Sequence, residues 1–219
     1  MSLVGKNRKI FSYSNDDRTD RNFMYKDFEK TKSYNTDFSR TKFSGVSFRA
    51  AHMKYCKFDK AVFSGVDFIG TNLRGSTFIG ADFKECIFSS ANFDKTNFTN
   101  AVFQDCYVIG SGISSAKGIT LDTPGVIFLC SSPSQNSISS ELRGAVEQLR
   151  SNDVIRKSHT LHCKKGTINT VTMKVLEEIY SEKQLIILLP QLPKLVTAQF
   201  YTVSYLKALL KKAEQLANI

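Results

Sequence analysis

The sequence predicts an all-β, four-sided coil over residues 21–115 of this 219-residue chain, followed by a small second domain over 120–219. Three observations carry that prediction. From Phe23 to Ile113 every fifth residue is apolar apart from Ser33, and fourteen of these nineteen positions are Phe. The residue two places before each centre is small: only Thr, Val, Ala, Cys or Ser from Thr31 to Ser111. Four of the five non-Phe centres, Ser33, Met53, Leu73 and Ile113, fall in one series of twenty-residue steps, and only Val108 lies outside it.

The five-residue period excludes the two standard elements. On an α-helix, residues five apart are rotated by about 140°, so the Phe set would circle the whole surface. On a strand they would alternate between faces. The backbone must instead turn a corner every five residues and return each Phe to the inside. The twenty-residue series makes four corners per coil. Gly45, Gly65, Gly70, Gly75, Gly80 and Gly110 all stand two places after a centre, which predicts a corner of positive φ. No Pro interrupts residues 21–115. Arg21 and Lys26 break the small-residue rule, so the first coil is expected to be frayed or capped, with residues 1–20 as a cap or a disordered arm. Ser33 is expected to be relieved by Tyr34 swinging inward or by a bulge.

The segments Ala81-Asp82-Phe83, Ala91-Asn92-Phe93, Thr71-Asn72-Leu73-Arg74-Gly75 and Val66-Asp67-Phe68-Ile69-Gly70 carry a resemblance to the pentapeptide-repeat family. That family's pattern is a small residue, Asp or Asn, Leu or Phe, a polar residue, then often Gly. The resemblance covers nearly half the chain. It implies a right-handed quadrilateral β-helix and a structural role for Asp67 and Asp82; a rigid rod of flat faces in turn suits partner recognition and offers no cleft for catalysis. Some members that confer quinolone resistance mimic DNA and bind type II topoisomerases. Such mimicry needs a strongly acidic rod, whereas residues 21–115 hold thirteen basic and nine acidic residues.

Beyond Ser115 the repeat is no longer legible, and all four Pro lie there. Val126–Cys130 reads as a buried strand. Leu142, Ala145, Val146 and Leu149 read as a helix capped by Ser139 or Ser140. His159–Cys163 and Gln184–Leu189 read as strands. Val171, Val175, Leu176 and Ile179 read as one helix face, and Val196 to Leu216 as a long last helix. This alternation predicts a small α/β domain, with an all-helical domain as the alternative.

Net charge is +10, which favours acidic partners. No apolar run approaches the ~18–20 residues of a membrane span, and no apolar leader core begins the chain. Five unpaired-looking cysteines fit a reducing compartment, hence a cytoplasmic location. Cys56, Cys86 and Cys106 occupy small-residue positions and are expected to pack inertly. His159, His162 and Cys163 lack a standard zinc spacing and a fourth ligand. The loop Ser131–Ser140 has no phosphate-binding motif and is expected to be a capped loop. No catalytic set, cofactor or metal is expected, and an enzyme or ligand-binding activity housed in residues 120–219, with a ligand in the Ser-rich loop, stands as a further alternative to a binding module. The side carrying the non-Phe series projects Lys32, Tyr34, His52, Lys54, Tyr55, Arg74 and Lys95, with Asp94 as its acid. A basic face with two Tyr suits an acidic protein surface, with nucleic acid as the less favoured partner. Reversing Lys54 and Arg74 together is expected to weaken binding there.

Overall fold

The computed structural model describes residues 11–131, 134–163 and 165–217, and the chain divides into two compact units after Ser131. The first unit is the four-sided β-helix. Its strands are β1 (Asn22–Met24), β2 (Lys32–Tyr34), β3 (Lys42–Ser44), β4 (His52–Lys54), β5 (Val62–Ser64) and β6 (Asp67–Ile69). The later coils add β7 (Asp82–Lys84), β8 (Ile87–Ser89), β9 (Val102–Gln104), β10 (Cys106–Ile109) and β11 (Val126–Leu129).

Every pairing is parallel, and each residue meets the one twenty places on. One side is β1-β3-β5-β7-β9, in the register Phe23↔Phe43↔Phe63↔Phe83↔Phe103. The next is β6-β8-β10-β11. The third is β2-β4, prolonged by bridges from His52 to Asn72 and from Asn72 to Asn92. The fourth consists of single-residue bridges from Asp17 through Asp37, Lys57, Thr77 and Asn97 to Lys117.

Inside, the Phe side chains stack ring on ring. Phe63 lies 4.8 Å from Phe83 with planes 5° apart, and Phe68 lies 4.6 Å from Phe88. At each corner the backbone crosses to positive φ. The positive-φ positions run in steps of five from Asn15 to Gly110, between 50° at Ser90 and 70° at Gly75. Fourteen of these twenty corners carry side chains, so glycine is one solution and the left-handed corner is the rule. The corner costs a non-glycine residue roughly 1 kcal/mol, which the ladder on both sides must offset.

The small-residue position has a further role. Thr71 Oγ1 donates to the Phe48 carbonyl at 2.8 Å and Ser76 Oγ to that of Met53 at 2.6 Å, in each case the centre of the preceding coil. Cys86 and Cys106 follow the same geometry, with their thiols on the carbonyls of Phe63 and Phe83 at 3.6 and 3.5 Å. The three repeat cysteines are free and buried, and burial pushes the Cys56 thiol up to about 12. The Asp/Asn position accepts the amide two residues on, as at Asp37 from Ser39 and Asn92 from Asp94, both at 2.9 Å. These bonds fix the corner geometry locally.

Both ends differ from the sequence expectation. Residues 11–20 belong to the first coil: Phe11 stacks on Phe28 at 4.5 Å, and the Arg18 guanidinium sits 4.3 Å over the Tyr13 ring. The part of the expectation that concerns residues 1–10 lies outside the described residues. Ser33 stays inside without help from Tyr34, which is exposed; Ser33 Oγ accepts the Tyr13 amide at 3.2 Å, so its hydroxyl is satisfied. At the far end the stack continues past Ser115 to Leu129, because Phe128 keeps the twenty-residue register opposite Val108. The strand near residue 126 therefore belongs to the rod and not to the second domain. A Cβ on Gly125 would stand 2.0 Å from the Phe103 carbonyl oxygen, so only glycine lets the last coil lie on the one before it.

The second unit is helical, which corrects the α/β reading in favour of its all-helical alternative. It contains α1 (Ser140–Gln148), α2 (Asp153–Ser158), α3 (Thr170–Glu177), α4 (Glu182–Leu188), α5 (Leu192–Leu195) and α6 (Val203–Ala217). Leu142, Val146, Ile155, Met173, Leu176, Leu185, Leu188, Leu206 and Leu210 are among the residues of its core. The segment read as a strand over Gln184–Leu189 is α4 and the turn after it. Ser181 and Gln184 form a reciprocal capping box, and Leu185, Leu188 and Leu189 recur at helical spacing. The second expected strand, His159–Cys163, is replaced by a left-handed residue, His159 at φ 55°, and a single antiparallel bridge from His162 to Ile168. The last helix starts at Val203 and not at Val196, whose backbone is extended. Among the described residues no helix is long and apolar enough to cross a membrane.

Candidate protein-binding face

The seven residues singled out from the sequence fall on the third side of the rod, and the parallel ladder dictates their arrangement. Pairing of β2 with β4 sets Lys32 beside His52 and Tyr34 beside Lys54. The bridges from His52 to Asn72 and Asn92 carry the same two columns onward, with Arg74 following Lys54 and Asp94 following Arg74. Tyr55 and Lys95 occupy the positive-φ corners of their coils. Met53 and Leu73 are buried beneath, so this side of the rod rests on core packing.

Two arrangements organise the side chains. Tyr34 and Tyr55 meet edge to face, with centroids 5.3 Å apart, and both are more than 40% exposed. A Cβ at Gly75, one coil on, would stand 2.5 Å from Tyr55 Cδ1. The missing side chain at Gly75 is therefore the space in which the Tyr55 ring lies. Tyr25 and Gly45 repeat the arrangement on another side of the rod, at 2.7 Å. The second arrangement is an ion pair, Arg74 Nε to Asp94 Oδ2 at 3.1 Å. Arg74 also donates its amide to Asn72 Oδ1 at 3.2 Å.

The ion pair changes the electrostatics expected from the sequence. The sequence places Lys54 and Arg74 together on one basic side, with Asp94 as its acid. Arg74 is neutralised by Asp94, whereas Lys32, His52 and Lys54 enter no ion pair among the described residues. Two lysines without an ion pair, Lys32 and Lys54, thus stand on the two coils that carry the Tyr pair, and Lys95, likewise without one among the described residues, lies two coils beyond Tyr55. Both contacts had a sequence signal, since Arg74 and Asp94, like Tyr55 and Gly75, stand twenty residues apart.

Of the other candidates, His162 and Ser139 have local partners, while residues 132 and 133 of the Ser131–Ser140 loop lie outside the described residues. His162 is buried, with Nε2 3.1 Å from the Val146 carbonyl oxygen. Ser139 caps α1 by accepting the Leu142 amide and donates to Glu182 Oε1 at 2.7 Å. A carboxylate therefore already stands at this helix N-terminus.

Comparison with known proteins bears on the repeat unit. The family model for pentapeptide repeats matches residues 34–68 and 67–105, in eight copies over the chain. No curated protein matches the sequence. Among solved structures, the pentapeptide repeat protein Rfr23 from the cyanobacterium Cyanothece 51142 is 15% identical, with a TM-score of 0.38 over 52% of this chain and 85% of that one. HetL from the cyanobacterium Nostoc sp. strain PCC 7120, a pentapeptide repeat protein involved in heterocyst differentiation regulation, is 10% identical. Its TM-score is 0.29, over 53% of this chain and 57% of HetL. QnrB1, a plasmid-mediated fluoroquinolone resistance protein, is 17% identical, with a TM-score of 0.22 over 53% of this chain and 93% of its own. With parallel coils of twenty residues, a corner every five and a family model that matches residues 34–105, the first unit is a β-helix built of pentapeptide repeats.

Proposed function

We propose that the repeat unit is a rigid, non-enzymatic protein-interaction module whose partner surface is the side bearing Lys32, Tyr34, His52, Lys54, Tyr55, Arg74 and Lys95. The single observation that supports this most is the exposed Tyr34–Tyr55 pair standing among unpaired cations. Aromatic side chains with a polar tip contribute large contact area at low conformational cost, and they are enriched at interfaces. Their support is rigid, because each coil is bonded to its neighbours on both sides. An acidic protein surface is the partner this charge favours. DNA mimicry of the kind that targets topoisomerases is disfavoured by the excess of basic over acidic residues in the rod.

The test is a photo-crosslinking amino acid placed at Tyr34 in the full chain, expressed in its own cells, beside a control at Lys84 on another side. A discrete protein adduct from position 34 and none from position 84 is the expected outcome. Adducts from position 84 alone would contradict the assignment of this side.

A further inference from the structure

On the reading that this side is the partner surface, its coils are not equivalent. Arg74 and Asp94 satisfy each other at 3.1 Å, while Lys32, His52 and Lys54 have no carboxylate partner among the described residues. Between those unpaired groups stand Tyr34, 46% exposed, and Tyr55, 41% exposed. We infer that the docking point is this two-coil patch, and that its occupant is a short acidic peptide segment of a protein, presenting a carboxylate beside an apolar side chain.

Three features support that occupant. The first is charge complementarity displayed within the side itself. In the column Tyr34, Lys54, Arg74, Asp94, a carboxylate one coil from a cation is seated at ion-pair distance. Lys54 is the cation of that column left without such a group, and a carboxylate from a partner completes the same pairing. The second is preorganisation. Tyr55 lies in the space left by Gly75 and meets the Tyr34 edge at 5.3 Å, so little rotamer freedom remains to be lost on binding. The exposed ring faces offer an apolar seat beside the cations. The third is extent. Coils about 4.8 Å apart give two coils and their margins a length of roughly 10–15 Å, which three or four extended residues span at ~3.3 Å each. Nucleic acid instead requires cations that track a continuous line of phosphates. Here that line is broken by the Arg74–Asp94 pair on one flank, and Asp37 stands on the adjoining side of the rod.

The experiment is selection of a random peptide display library on the immobilised full chain, with counter-selection on the Lys32→Glu, Lys54→Glu variant. Enriched peptides are then synthesised, and their affinity is measured at low and high salt. The expected result is peptides with Asp or Glu beside Leu, Phe or Tyr. Binding should weaken at least roughly tenfold in Lys54→Glu and in Tyr34→Ala, each of which keeps the parent melting temperature. Lys84→Glu, on another side, should leave it unchanged. Peptides without acidic residues, or no enrichment over the variant, would overturn the inference. So would single-stranded oligonucleotide binding with the same dependence on Lys54 and Tyr34. Peptide selection failing while the position-34 crosslink succeeds would reject the acidic-segment occupant alone. Failure of both would reject the face.

Discussion

In the repeat unit a core position is found by counting, because one backbone corner recurs every five residues and one Phe returns inward each time. In the helical unit each element has to be started separately. Ser139, Asn152, Asn169 and Ser181 each cap a different helix, and the apolar spacing begins afresh behind each cap. The first design makes every coil depend on its two neighbours. The second spreads its specification over local signals worth about 1 kcal/mol apiece. The same kind of substitution should therefore have opposite consequences in the two units.

The largest difference is expected at a stacked centre. Phe83 is buried between Phe63 and Phe103, with ring centroids at 4.8 and 5.0 Å. Phe83→Lys places an unpaired charge in that column, and loss of cooperative folding of the rod is expected. A soluble variant with an unchanged melting temperature would break the account of the core.

Glycine to alanine should separate the units by sign. Gly125 has φ of 76° and no room for a Cβ against Phe103, so Gly125→Ala should destabilise the rod by about 3 kcal/mol or more. Gly144 lies within α1 with nothing within 4 Å of its Cβ position, so Gly144→Ala should stabilise the helical unit by about 0.5–1 kcal/mol. Chemical denaturation followed by hydrogen exchange, which resolves the two units, measures both. Equal signs would contradict the comparison.

A smaller effect should appear with pH in the helical unit alone. Burial lowers the pKa of His162, helped by the positive charge of Arg150; its bond to the Val146 carbonyl and the nearby Glu147 carboxylate act the other way. The unfolded chain therefore binds the proton more readily than the fold does. The stability that His162 contributes is complete above about pH 6.5 and is lost as pH falls from there toward the lower folded value. Unfolding between pH 7.5 and 5.5 should show this loss in the helical unit, and replacing His162 with Gln should reduce the slope. A slope unchanged by that substitution would assign the effect elsewhere.

What was legible in the sequence follows the same division. The Phe period, the corner glycines and the four sides could all be read because a single spacing repeats. The role of Thr71, Ser76, Cys86 and Cys106 as donors to the preceding coil could not, because small size alone explains their place. The last coil was missed because only Phe128 keeps the pattern there, while Gly118 and Gly125 provide the close approach. Helix α4 was misread because a short apolar run fits either element, and the box formed by Ser181 and Gln184 is what decides between them. On the candidate face the period placed every side chain on the correct side, but charge had to be compared one coil on before Arg74 could be seen to be satisfied.

The central claim is that one side of the rod binds a partner through charge gathered where no internal partner exists. Lys32→Glu with Lys54→Glu tests it most directly, because it spares the Arg74–Asp94 pair and touches no core residue. The measurement is retention of the crosslink-identified partner by the purified full chain at low salt, after the melting temperature is shown to match the parent. The account predicts loss of binding in the double variant, and steep weakening of parent binding as salt is raised. Partner binding that survives the double variant at low salt would contradict it.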